Sequence, residues 1–215
     1  MRTAMRAGVI GATVLLLGLL SGCGATSRWH AIDVSGSEPS LAFRMDRAPD
    51  GKPVTAADYR GRIVLLYFGY THCTDACPTT LSNVADILER LGPDAKSFAI
   101  LFVTVDPDRD TLPVLTRYAA EFSPQGVGLR GTPDQIAELA RRFRVEYSVE
   151  PATRNHPYEV THSPSVFVFD RTGAARFLVP ELATARPDLS GIAADLERLV
   201  EQRPSSPFQA LLHLL

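Results

Sequence analysis

The chain has 215 residues, the size of one ordinary domain, and 45% of them are apolar, enough for a sizeable core. Charged residues make up 21% and nearly cancel, leaving a net charge of -2. No basic run or basic-aromatic stripe occurs, which excludes nucleic acid as a natural partner, because backbone phosphates demand clustered Lys and Arg.

The first segment reads as a leader. Arg2 and Arg6 give a positive start, residues 8–20 are apolar and uncharged, and Leu20-Ser21-Gly22-Cys23 follows. A short apolar core behind a basic start is a secretion signal, too short for a comfortable membrane span. The Leu-Ser-Gly-Cys sequence resembles a bacterial lipobox. That resemblance implies a signal peptide over residues 1–22, cleavage before Cys23 and lipid on its sulfur, holding the protein on the outer side of a cell membrane. An ordinary signal peptide, or an uncleaved anchor with Cys23 a bystander, is the alternative. Removal of the leader takes away Arg2 and Arg6, so the remaining domain is mildly acidic and suits a cation or a basic protein face.

Residues 23–40, rich in Ser, Gly and Ala, are expected to be a flexible tether. The folded domain is expected over residues 41–203. Gly51-Lys52-Pro53 marks a turn between two short strands. Residues 63–68 form a continuous apolar run, as a buried central strand should. Residues 78–91 predict a helix, with Pro78 in its first turn, Leu81, Val84, Ile87, Leu88 and Leu91 at helical spacing, and Gly92-Pro93 ending it. A second buried strand is expected over 98–105, and helices over 111–122 and 132–143, the latter capped by Thr132. A short strand over 145–149, a strong one over 166–170, a turn at Arg171-Thr172-Gly173, a strand over 175–179 and a helix over 189–200 complete the pattern. Residues 204–215 form a tail whose Phe208, Leu211, Leu212, Leu214 and Leu215 are available for packing. A parallel βαβ unit followed by an antiparallel hairpin predicts an α/β thioredoxin-like fold, a central mixed sheet flanked by helices.

The chemistry concentrates at Gly69-Tyr70-Thr71-His72-Cys73-Thr74-Asp75-Ala76-Cys77-Pro78. The chain has three cysteines; with Cys23 acylated, Cys73 and Cys77 remain, and they can form one disulfide or stay reduced and bind metal. Cys77 falls where a helix begins, and the helix dipole with its free N–H groups is expected to favour thiolate. A structural disulfide here would close a tiny loop and add little stability. The three-residue gap, wider than the usual two-residue redox motif, fits two sulfurs around a metal at least as well as a redox pair. The third element is Thr161-His162-Ser163-Pro164. In this fold the loop before the 166–170 strand lies beside the cysteine loop, so His162 is placed to complete a two-thiolate, one-imidazole set suited to copper(I). Zinc competes but wants a fourth ligand. The two signal methionines and Met45 are the only ones, which excludes a methionine-rich copper site.

With Val105-Asp106-Pro107-Asp108-Arg109-Asp110-Thr111, these stretches resemble the Sco/SenC family from about residue 40 to 202. The resemblance implies copper held by Cys73, Cys77 and His162, and delivery of copper to the binuclear CuA site of cytochrome c oxidase or thiol reduction of that site. Implied partners are oxidase subunit II or another extracytoplasmic copper or thiol protein, together with the membrane through the lipid anchor. A thiol-disulfide oxidoreductase, using Cys73 and Cys77 as its redox pair, is the alternative function. There are two departures. Thr161 stands where members often carry Asp before the ligand His. Pro164 stands where thioredoxin-like reductases carry a cis-proline, which points toward thiol exchange. Asp106, Asp108 and Asp110 are read either as carboxylates near the site, favouring copper or docking a basic partner, or as a helix cap with Arg109 paired to an acid. His72 is a spare ligand or a solvated neighbour, and Asp75 a redox modulator or a plain loop residue. His30, His156 and His213 are expected to be solvated.

Overall fold

The computed structural model describes residues 29–202. The leader 1–22, Cys23 and the tail 204–215 lie outside the described residues.

The elements follow in chain order: β1 (Ile32–Asp33), β2 (Arg44–Arg47), β3 (Lys52–Thr55), β4 (Ile63–Gly69), α1 (Ala76–Arg90), β5 (Phe98–Thr104), α2 (Leu112–Phe122), β6 (Gly126–Arg130), α3 (Pro133–Arg142), β7 (Tyr147–Glu150), β8 (Glu159–His162), β9 (Val166–Phe169), β10 (Ala175–Val179) and α4 (Leu189–Glu201). Eight strands form one sheet in the order β1-β10-β9-β4-β5-β6-β2-β3, and β7 with β8 forms a separate antiparallel ribbon. β4 and β5 are parallel, with Gly69 opposite Thr104, while β9 runs antiparallel to β4 and pairs Val166 with Tyr67.

Both central strands are buried on both faces, which is why they read as unbroken apolar runs. Alternation divides their side chains between two cores. Leu65, Tyr67, Ile100 and Phe102 face α1, α2 and α4; Val64, Leu66, Phe68, Leu101 and Val103 face α3. Thr132 caps α3 through a reciprocal pair: its hydroxyl accepts from the Gln135 N–H, and Gln135 Oε1 accepts from the Thr132 N–H at 2.8 Å. The result is the expected thioredoxin-like architecture.

Three expectations change. Residues 29–40 are not a free tether. The Trp29 ring lies 4.6 Å from that of Phe177 and beneath the Arg198 guanidinium, Ala31 and Val34 are buried, and the His30 and Ala31 N–H groups donate to the buried Asp195 carboxylate. Ser-rich composition hid these few anchors. β6 was missed because Gly126-Val127-Gly128 looks like a turn. A Cβ on Gly126 would stand 2.3 Å from the Ala119 carbonyl oxygen, and one on Gly128 would stand 2.8 Å from Leu115 Cβ; α2 lies so close on this strand that side chains do not fit. β8 was missed because its residues are mostly polar and it pairs only with β7.

Candidate metal centre

β4 ends at Gly69, and the chain then turns through Tyr70–Asp75 into α1. Helix α1 begins at Ala76, two residues before the expected start, so Cys77 lies in its first turn and points into the core with no exposed surface. Gly69 makes the space for its sulfur. A Cβ at residue 69 would stand 2.8 Å from Cys77 Sγ and 2.7 Å from the Phe102 ring. Cys73 is half-buried on the preceding loop, and its sulfur accepts the Cys77 N–H at 3.3 Å. Both cysteines are free thiols.

His162 closes the group from the other side. It is the last residue of β8, a strand and not the loop expected, paired with Tyr147. Its Nε2 stands 3.1 Å from Cys77 Sγ. Its Nδ1 lies 3.0 Å from the Ser163 carbonyl oxygen, a contact that places the proton on Nδ1 and leaves the Nε2 lone pair turned to the sulfurs. Tyr67 and Tyr70 pack edgewise on the imidazole, each with ring centroids 5.8 Å away. The ligand atoms of Cys73, Cys77 and His162 all lie within 4.8 Å of one another. Donors about 2.0–2.3 Å from one ion in a trigonal plane stand about 3.5–4 Å apart, so these three can share an ion after small shifts.

Burial dominates the electrostatics. Desolvation pushes the Cys77 thiol up and the His162 imidazole down from their ordinary values. The expectation that the helix N-terminus makes Cys77 a ready thiolate therefore fails: a fully buried sulfur loses more by desolvation than the helix dipole returns. Both shifts favour the uncharged forms of the two groups, and a bound cation would favour loss of the thiol proton.

The Asp106–Asp110 loop supports the site without entering it. Asp110 has no exposed surface; it accepts from the Thr71 N–H at 2.9 Å, from the Thr71 hydroxyl at 2.5 Å and from the Thr104 hydroxyl at 2.6 Å. It thereby ties the loop that carries Cys73 to the end of β5. Asp106, also buried, takes the Arg109 guanidinium and the Tyr158 hydroxyl at 2.8 Å, while Arg109 stacks on the Tyr158 ring at 3.9 Å. Tyr158 immediately precedes β8, so this cluster holds the strand that ends in His162. The acid-to-Arg109 pairing is as expected, and of Asp110 and Thr111, the two cap candidates the sequence offers for α2, Thr111 holds the N-cap position, without a side-chain cap hydrogen bond. Neither of these two carboxylates is open to a docking partner, whereas Asp108 is exposed.

The remaining residues fall outside the group. His72 is exposed, with Nδ1 3.7 Å from Asp110, and Asp75 is the exposed N-cap residue of α1. His30 bonds Asp188 at 2.8 Å, His156 lies near Glu159, and His213 lies outside the described residues. Met45 is buried in the core. Ser163-Pro164 is trans; among the described residues the cis bond is Ala48-Pro49. The roles of Gly69, Asp110 and Tyr158 were missed in the sequence. Gly69 directly follows the apolar run over 63–68 and Asp110 lies in the singled-out acidic stretch, but neither position alone signals its contact; Tyr158 carries no signal at all.

Comparison with known proteins adds a family. The SCO1/SenC family model matches residues 42–201. The mouse mitochondrial protein SCO2 homolog is 39% identical over 125 residues, covering 57% of this chain and 49% of its own length. The chain thus spans about half the length of such mitochondrial relatives. A SCO2-like protein of Rickettsia prowazekii is 31% identical over 175 residues, covering 74% of this chain and 84% of its own. Among solved structures, Bradyrhizobium japonicum ScoI with copper bound is 34% identical, with a TM-score of 0.64 over 74% of this chain and 98% of its own.

Proposed function

The chain belongs to the SCO1/SenC family, and we propose that it is a copper(I) carrier assisting assembly of the CuA site of cytochrome c oxidase. One observation carries the reading: two sulfurs and an imidazole nitrogen, drawn from β8 and the β4–α1 elbow, converge within 4.8 Å. Soft sulfur selects copper(I), and imidazole completes a three-coordinate set. Zinc finds no fourth His, Cys, Asp or Glu in the group among the described residues. The likeness to a copper-bound ScoI supports the same assignment.

The ligands differ in access, and access orders the exchange. Cys73 and His162 are partly exposed whereas Cys77 is fully buried, so an acceptor protein reaches the first two before the third. The proposed acceptor is oxidase subunit II or another extracytoplasmic copper or thiol protein. Lipid on Cys23 would hold the domain beside a membrane-bound acceptor. No helix among the described residues is long and apolar enough to cross a membrane. Thiol-disulfide exchange is the alternative reading, with the partly exposed Cys73 as the attacking thiol and Cys77 buried behind it.

His162→Ala separates the readings. Under anaerobic competition with a copper(I) chelator, the reduced wild type should hold one ion, and His162→Ala should lose affinity sharply. A variant that binds as tightly as wild type contradicts the carrier reading.

A further inference from the structure

The ribbon that ends in His162 stands apart from the sheet that carries the sulfurs. Among the described residues β7 and β8 pair with each other and with no strand of the eight-stranded sheet, so no backbone ladder fixes His162 against Cys73 and Cys77. A two-stranded ribbon is marginal by itself. Val160 seats the middle of β8 in the apolar core, but apolar contact is non-directional and leaves the aim of the strand open.

Direction comes from the loop after β5. Asp106 is buried, and its two carboxylate oxygens take different partners: Oδ1 accepts the Tyr158 hydroxyl at 2.8 Å, and Oδ2 accepts Arg109 Nε. The Arg109 guanidinium lies over the Tyr158 ring at 3.9 Å and faces the Tyr70 ring at 6.0 Å, and Tyr70 packs edgewise on His162. Tyr158, four residues before His162, is thus held by a closed cycle of hydrogen bond, ion pair and stack. A planar guanidinium fixes orientation as well as distance in such an arrangement. The loop is itself firmly seated: Arg130 of β6 donates twice to the Pro107 carbonyl, at 3.1 and 2.9 Å, and the Asp106 N–H donates to the Thr104 hydroxyl at 3.0 Å. Asp110 of the same loop grips Thr71, two residues before Cys73. One rigid loop therefore holds both halves of the centre.

Building on the copper-carrier reading, we infer that Arg109 and Tyr158 are positioning residues that aim His162 at the two sulfurs, and that opening this brace frees the imidazole first and leaves copper(I) on Cys73 and Cys77. Neither residue supplies a ligand atom; both act through β8. The step breaks only the copper–nitrogen bond: the nitrogen keeps its lone pair, copper stays copper(I), and an incoming ligand finds an open position.

The coordination shell of copper in the purified full chain tests this. Arg109→Lys keeps a positive charge beside Asp106 but loses the flat stack, and Tyr158→Leu loses both ring and hydroxyl. X-ray absorption of either reduced, singly loaded variant should show two sulfurs retained and the imidazole nitrogen lost. Copper(I) affinity from anaerobic chelator competition should fall about ten-fold. Ser148→Ala breaks a hydrogen bond inside the ribbon, to Thr161 at 2.9 Å, and leaves the brace intact, so its copper shell should match wild type. An unchanged nitrogen shell with wild-type affinity in Arg109→Lys and Tyr158→Leu overturns this inference alone, as does an equal loss of nitrogen in Ser148→Ala. A wild-type protein that takes up no copper, or holds it without imidazole, overturns the carrier reading's ligand set and this inference with it.

Discussion

Gly69→Ala tests whether the sulfur pocket is as tight as the geometry implies. Gly69 lies in β4 with a backbone conformation outside the left-handed region, so alanine brings no backbone strain and the substitution reports on space alone. The new methyl carbon would stand 2.8 Å from Cys77 Sγ and 2.7 Å from Phe102 Cε2. Non-bonded carbon contacts settle near 3.5–4.0 Å, so one neighbour must move by about 1 Å. The methyl cannot back away from the sulfur without driving into the Phe102 ring, which is itself fully buried. Overpacking of this kind costs about 1–3 kcal/mol. For a domain of this size that lowers the melting temperature by roughly 2–12 °C. The sulfur is the less encumbered neighbour, and its movement disturbs the 3.1 Å approach to His162 Nε2. Copper(I) affinity should therefore fall by about ten-fold or more, since sites of this kind tolerate only about 0.5 Å of displacement. Thermal unfolding of the metal-free protein and anaerobic chelator competition measure the two effects. A variant that melts with wild type and binds copper equally well refutes the argument that residue 69 must be glycine to seat the sulfur.

Asp110→Ala removes the acceptor for three donors and leaves the buried Thr104 hydroxyl proton without an acceptor, its oxygen still accepting the Asp106 N–H at 3.0 Å. Urea unfolding should show a loss of about 2–4 kcal/mol, and an unchanged midpoint would contradict the clamp on the cysteine loop. The pH dependence of the metal-free protein follows from the two shifted ligands. The Cys77 thiol lies above its ordinary value of 9.0 in the folded state, so above pH 9 the unfolded chain loses a proton that the folded chain keeps, and stability falls as pH rises. The buried Tyr67 and Tyr118 phenols add the same slope above pH 10. The His162 imidazole lies below its ordinary 6.5, so below that pH the unfolded chain takes up a proton that the folded chain refuses, and stability falls as pH drops. Chemical denaturation across pH 5–11 should give a plateau between about 6.5 and 9 with both shoulders declining; in the copper-loaded protein the alkaline decline caused by Cys77 should vanish. A metal-free protein still gaining stability above pH 9 would contradict the buried-thiol account.

Legibility followed burial and periodicity. The runs over 63–68 and 98–105 announce two central strands because both their faces are covered, and the leucine and isoleucine spacing after Pro78 announces α1 because one face is covered. The strand at Gly126–Arg130 carries no such mark: closeness of α2 replaced the expected β-branched residues with glycine. Glu159–His162 is hidden for the opposite reason, since a two-stranded ribbon buries too little to impose alternation. The three residues of the candidate centre stood out in the sequence because their types are rare in this chain and their neighbours are distinctive. Their protonation did not. A local rule, thiol at a helix start, points one way, and depth in the core, which only the tertiary structure reveals, points the other. The Asp110 clamp is legible only afterwards, because it joins residues 71 and 110 through a fold that no spacing rule encodes.

The central claim is that Cys73, Cys77 and His162 close on one copper(I) ion. X-ray absorption at the copper edge of the reduced, singly loaded protein tests it most directly. The account predicts a three-coordinate ion with two sulfur neighbours and one imidazole nitrogen, the nitrogen disappearing in His162→Ala. Two sulfurs without an imidazole in the wild type, or an ion bound through oxygen or nitrogen alone, would contradict it.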